Sequence, residues 1–375
     1  MPIYKVDGVK KDGQQKYRVR INYTTATGEK KQMTKIAYGS NEAKRLELEL
    51  LKESRSVAIS AGAMTFQSLY DEYIRQKQHT VRESTLEKEK HIIARHILPF
   101  FSNMKLDKIT LQVLQRWKLE IEEKGLSLPM RRNIYQPLNL IFKYAVNMDY
   151  LPRNPLTKLG RFRDAYAEKT EMDYYTPEEW RKFKTAAKAE VETTGFYEWN
   201  FYVFFHIAFY AGLRKGEIHA LKWSDIDGDT LKVRRSVNQK LKGGDRTTPP
   251  KNKSSIRDLQ IPLPLMAVLQ EHKRRYADNA IGFNDDWYIC GGTAPLRDSS
   301  VSNRNIRYSK AAGVKTIRIH DFRHSHASLL ANEGINIQEI ARRLGHSKIE
   351  ITWNTYSHLY PREEERAVKV LNGIE

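Results

Sequence analysis

The spacing of apolar residues along the 375-residue chain first follows a strand and then a helix. Within residues 17–23, Tyr17, Val19, Ile21 and Tyr23 alternate with Arg18, Arg20 and Asn22, the period-two pattern of a strand with one covered face. Residues 25–28, Thr-Ala-Thr-Gly, supply a turn and residues 31–38 a second strand. Gly39-Ser40-Asn41 then leads into a helix over about 42–53. A small three-stranded sheet with one helix is therefore expected over 1–56, and the small residues of 54–62 read as a linker.

From residue 64 the period lengthens to that of helices. Thr65 caps a helix over 66–78, and Ser84-Thr85-Leu86-Glu87 resembles a capping box for one ending near Pro99. Thr110 starts a third that ends at Lys124-Gly125. A long one over 129–148 is stopped by Leu151-Pro152-Arg153-Asn154-Pro155. These make a helical bundle over 64–160, followed by a charged linker. Thr176-Pro177-Glu178-Glu179, with proline at the first helical position, opens a third domain over 170–375. It begins with helices, has strand-like stretches at 231–237 and 256–261, and returns to helices. Its apolar run 201–213, broken by His206, is too short to span a bilayer and reads as a buried helix. The predicted class is multidomain α+β, with a mixed, mainly helical C-terminal domain.

Charge narrows the partner class. Sixty-four Lys and Arg face 45 Asp and Glu, a formal +19 with pI near 9.7. A compact chain with that surplus repels itself unless it meets a polyanion, so nucleic acid leads. In the N-terminal sheet, Arg18, Arg20, Lys31 and Lys35 are expected on one side, as a groove-binding or a solvated face. Arg131 and Arg132 open the long helix, where free backbone N–H groups also favour a phosphate; a surface cation pair is the plain alternative. The single cysteine, Cys290, excludes an internal disulfide and a multi-cysteine zinc site. The first residues lack the apolar core of a signal peptide, so a cytoplasmic protein is expected.

Motif arithmetic removes further classes. G-x-x-x-x-G-K-[ST], G-x-G-x-x-G and G-x-S-x-G do not occur, so ATP-driven, dinucleotide and serine-hydrolase chemistry lose their carriers. His320 and His324 have a metal-ligand spacing, but Arg323 between them opposes a cation, so no metal or other cofactor is expected. What remains is cationic: Arg214 with Glu217 three residues on; Lys251 and Lys253; His320 and Arg323; His346 after the helix-ending Gly345; and Tyr356, with Tyr360 a turn later. Phosphodiester transfer uses these types. Guanidinium forks stabilise charge on the non-bridging oxygens, a tyrosine can carry the phosphoryl group covalently, and a lysine can protonate the leaving oxygen. A phenol with a reference pKa near 10 needs cations or a base to ionise.

Ala211-Gly212-Leu213-Arg214-Lys215-Gly216-Glu217-Ile218 resembles the first signature box of the tyrosine recombinase (phage integrase) family. His-Asp-Phe-Arg-His-Ser-His-Ala from His320, and Leu-Gly-His-Ser-Lys-Ile-Glu-Ile-Thr-Trp-Asn-Thr-Tyr ending at Tyr356, resemble the second. The match covers about 170–365. The bundle before it resembles the family's core-site DNA-binding domain, and the N-terminal sheet and helix its arm-site domain. The resemblance implies a site-specific recombinase in which Tyr356 forms a 3′-phosphotyrosine, leaving a 5′-hydroxyl. Arg214 and Arg323 would clamp the phosphate, and His320 and His346 hydrogen-bond it, with His320 assisting proton removal from Tyr356. Glu217 would support Arg214 or His346. Lys251, with Lys253 as the alternative, would be the general acid. Trp353 stands where a phosphate-contacting residue is common in the family, or is a core tryptophan. The C-terminal stretch 361–375 resembles a helical tail that packs on a neighbouring protomer. Implied partners are double-stranded DNA with core and arm sites, three further protomers in a tetramer on a Holliday junction, a host DNA-bending protein and an excisionase. The implied place is a bacterial host's cytoplasm. An Xer-like resolvase, a type IB topoisomerase and an inactive DNA-binding regulator are the other readings.

Overall fold

The computed structural model describes residues 3–6, 13–24, 30–59, 64–163, 172–239, 246–248, 253–360, 368–369 and 371–372. The chain divides into two compact units, Met1–Glu168 and Lys169–Glu375.

In the first unit, β1 (Ile3–Lys5), β2 (Lys16–Thr24) and β3 (Lys30–Tyr38) form an antiparallel sheet in chain order, followed by α1 (Ser40–Ile59). Val19, Ile21 and Ala37 from the sheet and Ala43 and Leu50 from the helix make its core. The stretch expected as a linker from 54 is still helix to Ile59. The four sheet cations do not share a face. Directly paired residues point the same way, and the register pairs Arg18 with Tyr4 and Ile36, and Arg20 with Thr34. The same register pairs Lys35 with buried Val19, and Lys31 with Tyr23. Arg18 and Arg20 thus lie on the outer face beside exposed Tyr4 and Ile36, while positions 31 and 35 belong to the other row.

Helices α2 (Phe66–Lys77), α3 (Glu83–His96), α4 (Leu98–Phe101), α5 (Leu111–Glu123), α6 (Leu128–Asn147) and α7 (Leu156–Leu159) surround a separate core that includes Phe66, Phe101, Trp117, Phe142 and Phe162. Thr65 and Thr110 cap α2 and α5, each hydroxyl accepting a backbone N–H three residues on. The expected capping box at Ser84 is absent: the chain turns helical earlier, at Glu83, whose charge suits the helix N-terminus. Helix α6 buries Ile134, Leu138, Ile141, Phe142 and Ala145. Its other face carries Arg132, Gln136, Asn139 and Lys143, spaced four, three and four apart, along a cleft of about 960 Å³ that Arg161 and Arg163 also line.

The second unit runs α8 (Pro177–Thr194), α9 (Trp199–Tyr210), α10 (Lys215–Ala220), β4 (Ile226–Asp227), β5 (Thr230–Val233), β6 (Ser236–Asn238), β7 (Arg246–Thr248) and β8 (Arg257–Gln260). It continues with α11 (Leu263–Asn279), α12 (Asp298–Ala312), α13 (Asp321–Asn332), α14 (Ile337–Leu344) and α15 (Ile349–Tyr356). A full capping box between Thr176 and Glu179 opens α8. The strand expected over 231–237 divides because the chain changes partner: β5 joins the sheet β4-β5-β8, and β6 pairs with β7. Every residue of α9 from Trp199 to Phe209 is buried, as a helix apolar on all sides apart from Asn200 and His206 requires. Trp180 stacks on Phe209 with ring centroids 4.3 Å apart. Among the described residues, no helix is long and apolar enough to cross a membrane.

Three histidines are locked into this core in the neutral form. Burial pushes His206 and His272 down to about 4 and His326 to about 3, although each ring meets a backbone carbonyl, at 2.9, 2.8 and 2.9 Å. Their folded pKa values lie below the unfolded value of about 6.5, so the unfolded chain binds protons that the fold refuses. The stability they contribute is complete above pH ~6.5 and declines as pH falls towards 4. Thermal unfolding across pH 7 to 5 is expected to show a falling midpoint and, near pH 5, an uptake of up to roughly one proton per histidine. A midpoint flat over that window contradicts this.

Candidate active site

The buried helix α9 ends at Ala211-Gly212-Leu213 and delivers Arg214 to the start of α10. Gly212 has φ +62°, and a Cβ there would stand 2.5 Å from His326 Cδ2, so only glycine fits this approach of α9 to α13. Glu217 reaches back as in a capping box: its carboxylate accepts the Arg214 backbone N–H at 3.0 Å and the Arg214 guanidinium at 2.8 Å. Arg257, at the start of β8, approaches the same carboxylate from the other side at 3.0 Å and donates to the Arg343 carbonyl at 2.6 Å. Burial alone would raise the Glu217 carboxyl; Arg257 and then Arg214 outweigh it and hold it below the usual carboxylate range. Glu217 and Arg257 are buried, whereas the Arg214 side chain keeps about a third of its surface in solvent.

Arg323 leaves the first turn of α13 and is 2% exposed. It donates to the carbonyls of Gly212 at 2.9 Å and Leu344 at 2.6 Å. Among the described residues it has no carboxylate partner. Burial, reinforced by Arg214, pushes its pKa down to about 9. Nearby Asp321 is already paired with Arg318 at 2.9 Å. Glu217 is thus the one carboxylate, among the described residues, paired within the group Arg214, Arg257 and Arg323, which leaves two positive charges uncompensated in partly dry surroundings. That is a strong electrostatic demand for an anion.

The histidines flank this charge. His320 precedes α13 and keeps an open edge to solvent; partial desolvation and then Arg323 hold its pKa below the ordinary value. Gly345, at φ +66°, ends α14 and lets His346 follow. A Cβ at Gly345 would lie 2.9 Å from the Ser254 carbonyl. His346 Nδ1 meets Thr352 Oγ1 at 2.8 Å, and Thr352 is fully buried, so the ring is fixed from α15. Burial and then Arg323 push His346 down to about 4. The same surroundings favour the neutral form of both imidazoles.

Tyr356 ends α15 and is 1% exposed, packed with Ala327, Ala331, Ile340 and Leu344. Burial raises its pKa well above that of a free phenol, and Arg323 partly opposes the rise. Its hydroxyl lies 2.6 Å from His324 Nδ1. The expected helper, His320, is not its hydrogen-bond partner: α15 meets α13 one turn further along, at His324. Tyr360 gives its hydroxyl to the Ile335 carbonyl at 2.6 Å. Trp353 is 54% exposed, so it is no core tryptophan. Lys251 lies outside the described residues. Lys253 begins the one-turn helix Lys253–Ser255, and Ser255 Oγ is 3.4 Å from Arg214 Nη1. The 361–375 stretch falls mostly outside the described residues.

The second unit thus brings together Arg214, Glu217, His320, Arg323, His346 and Tyr356. Sequence reasoning missed Arg257, Thr352 and the bond between His324 and Tyr356. Arg257 had a signal: extending the alternation of buried Leu259 and Ile261 backwards puts an arginine inside, which demands a carboxylate.

Residues 176–363 match the family model described as the phage integrase family, and 65–119 that of the phage integrase N-terminal SAM-like domain. The chain is 31% identical to the ICEBs1 integrase of Bacillus subtilis (strain 168) over 371 residues, 97% of this chain and 98% of that protein. It is also 31% identical to a XerC-like tyrosine recombinase of Caldanaerobacter subterraneus subsp. tengcongensis over 295 residues, covering 72% and 73%. Its fold matches the Tn1549 transposon integrase in complex with a circular intermediate DNA, with TM-score 0.66, 21% identity and coverage of 84% and 100%. It also matches a lambda integrase tetramer bound to a Holliday junction, with TM-score 0.58, 18% identity and 97% of each chain covered. The chain belongs to the phage integrase family of tyrosine recombinases, enzymes that cleave and rejoin DNA strands in site-specific recombination.

Proposed function

We propose that this chain is the integrase of a phage or other mobile element and that Tyr356 is its nucleophile. The observation that carries the site assignment is Arg323, a buried guanidinium held by two carbonyls and, among the described residues, paired with no carboxylate, in the same cluster as Arg214. A scissile phosphate between these two arginines supplies the missing negative charge, and its transition state supplies more. Tyr356 Oη attacks phosphorus, the bond to the 5′ oxygen breaks, and the enzyme is left joined to the 3′ end. Lys251 protonates the leaving oxygen, with Lys253 the alternative. His320 and His346 hydrogen-bond the non-bridging oxygens, and exposed Trp353 contacts the phosphate from α15. Reversal by a different 5′-hydroxyl rejoins the strands, and the bond energy stays in the phosphotyrosine throughout.

The divisions 1–56, 64–160 and 170–375 then serve as arm-site, core-site and catalytic domains. The match to the ICEBs1 integrase runs over 97% of the chain, which favours a mobile-element integrase over a resolvase lacking the N-terminal sheet. The outer sheet face, with Arg18 and Arg20 beside exposed Tyr4, is the arm-site surface; Lys31 and Lys35 sit in the opposite row. The α6 stripe of Arg132, Gln136, Asn139 and Lys143 is the core-site surface, with Arg131 beside it. Recombination proceeds as a tetramer through a Holliday junction, joined by a host DNA-bending protein and an excisionase, in the host cytoplasm.

With a nicked suicide duplex carrying its own attachment core and excess chelator, the native chain is expected to form a protein–DNA adduct that survives denaturing gels. Tyr356→Phe is expected to form none. An adduct from Tyr356→Phe moves the nucleophile elsewhere. For the core-site surface, Arg132→Ala with Lys143→Ala is expected to flatten log K against log salt by about 2, near 0.9 per lost phosphate contact. An unchanged slope removes α6 from the interface.

A further inference from the structure

Resting on the reading of Tyr356 as nucleophile, we propose that His324 is a catalytic residue that takes the Tyr356 proton during attack on the scissile phosphate. Two observations meet on this residue. His324 Nδ1 is 2.6 Å from Tyr356 Oη, the reach a general base needs. Among the described residues no other partner of that hydroxyl is present. A buried phenol with one partner uses its proton in the bond, because an unsatisfied buried donor is the costlier arrangement. His324 Nδ1 is thus the acceptor, and its ring carries hydrogen on Nε2.

The surroundings keep it so. The groups that act on the ring are His320, Asp321, Arg323 and Arg318. The His320 ring packs edge-on at 5.1 Å. Burial first, then His320, hold His324 at about 4, so it stands unprotonated across the physiological range. A weak resting base and a phenol raised by burial exchange no proton in the free protein. The balance changes as the new bond forms, because the phenol becomes far more acidic when its oxygen bonds to phosphorus. At that point Oη joins phosphorus, its proton passes to His324 Nδ1, and the bond between phosphorus and the 5′ oxygen breaks. The leaving oxygen takes a separate proton from the general-acid lysine. In rejoining, the proton on His324 returns to Oη as the phosphotyrosine bond breaks. His320, at the phosphate, and His324, at the phenol, have separate tasks.

Adduct formation on the suicide duplex tests this with His324→Ala, His324→Gln and Tyr356→Phe, alongside non-covalent binding to the uncut core and the thermal midpoint. His324→Gln fills the site and cannot take a proton at neutral pH. Both His324 variants are expected to lose about 100-fold or more in cleavage rate, while His324→Gln keeps native binding and midpoint. Added imidazole is expected to restore His324→Ala in proportion to its free-base concentration, and to leave His324→Gln and Tyr356→Phe unchanged. A duplex with sulfur at the scissile 5′ position, whose leaving group needs no proton, is expected to rescue neither His324 variant. Native cleavage by the His324 variants, with Tyr356→Phe inert, overturns this role and leaves the nucleophile standing. So does faster cleavage, which makes the bond a restraint, or a loss that imidazole does not repair. An adduct from Tyr356→Phe overturns the nucleophile itself.

Discussion

A single buried carboxylate, Glu217, organises the site. Guanidinium groups repel one another at close range, and removing them from water costs each several kcal/mol unless a counter-charge is supplied. Glu217 supplies it to two of them: Arg214 at 2.8 Å and Arg257 at 3.0 Å. Through Arg257 and the Arg343 carbonyl it ties β8 to α14, and through Arg214 it fixes the start of α10. Among the described residues, Arg323 is left on carbonyls alone. The fold thus neutralises one of three charges and leaves an excess of two, which a phosphodiester in its transition state is suited to meet.

The helices have separate roles in holding these charges. Helix α9, buried throughout, is the rigid post from which Arg214 emerges, and the Gly212 approach lets α13 lie close enough for Arg323 to reach its end. Helix α14 ends at Gly345, where the Arg214 and Arg323 guanidiniums meet consecutive carbonyls, those of Gly345 and Leu344. Helix α15 holds His346 through Thr352 and ends in Tyr356. Backbone carbonyls carry much of the fixing, which leaves few side chains spent on structure alone at the reacting centre.

Much of this was legible in the sequence, and the misses have physical causes. Strong local signals, such as the Thr65 and Thr110 caps, the Thr176 capping box and the apolar run of α9, decide structure within a few residues and could be read directly. The order of Arg214, His320, Arg323, His346 and Tyr356 marked them as candidates by resemblance, and the fold gathers these residues in the second unit. What escaped depends on pairings distant in sequence. Arg257 meets Glu217 across 40 positions, and His324 meets Tyr356 across 32. The sheet face failed for a related reason: alternation gives parity within one strand, but only the hairpin register decides which parity of β3 shares a face with Arg18.

The central claim is that Glu217 and Arg257 act as one unit to hold Arg214 at the phosphate. The most direct measurement is a double-mutant cycle on suicide-substrate cleavage, with Glu217→Gln, Arg257→Met and the pair, at a temperature where all are folded. The account predicts that each single change slows cleavage strongly, and that the pair costs little more than the worse of the two, since removing both ends of one network counts once. Losses that simply add, or single variants that cleave at the native rate, would contradict it.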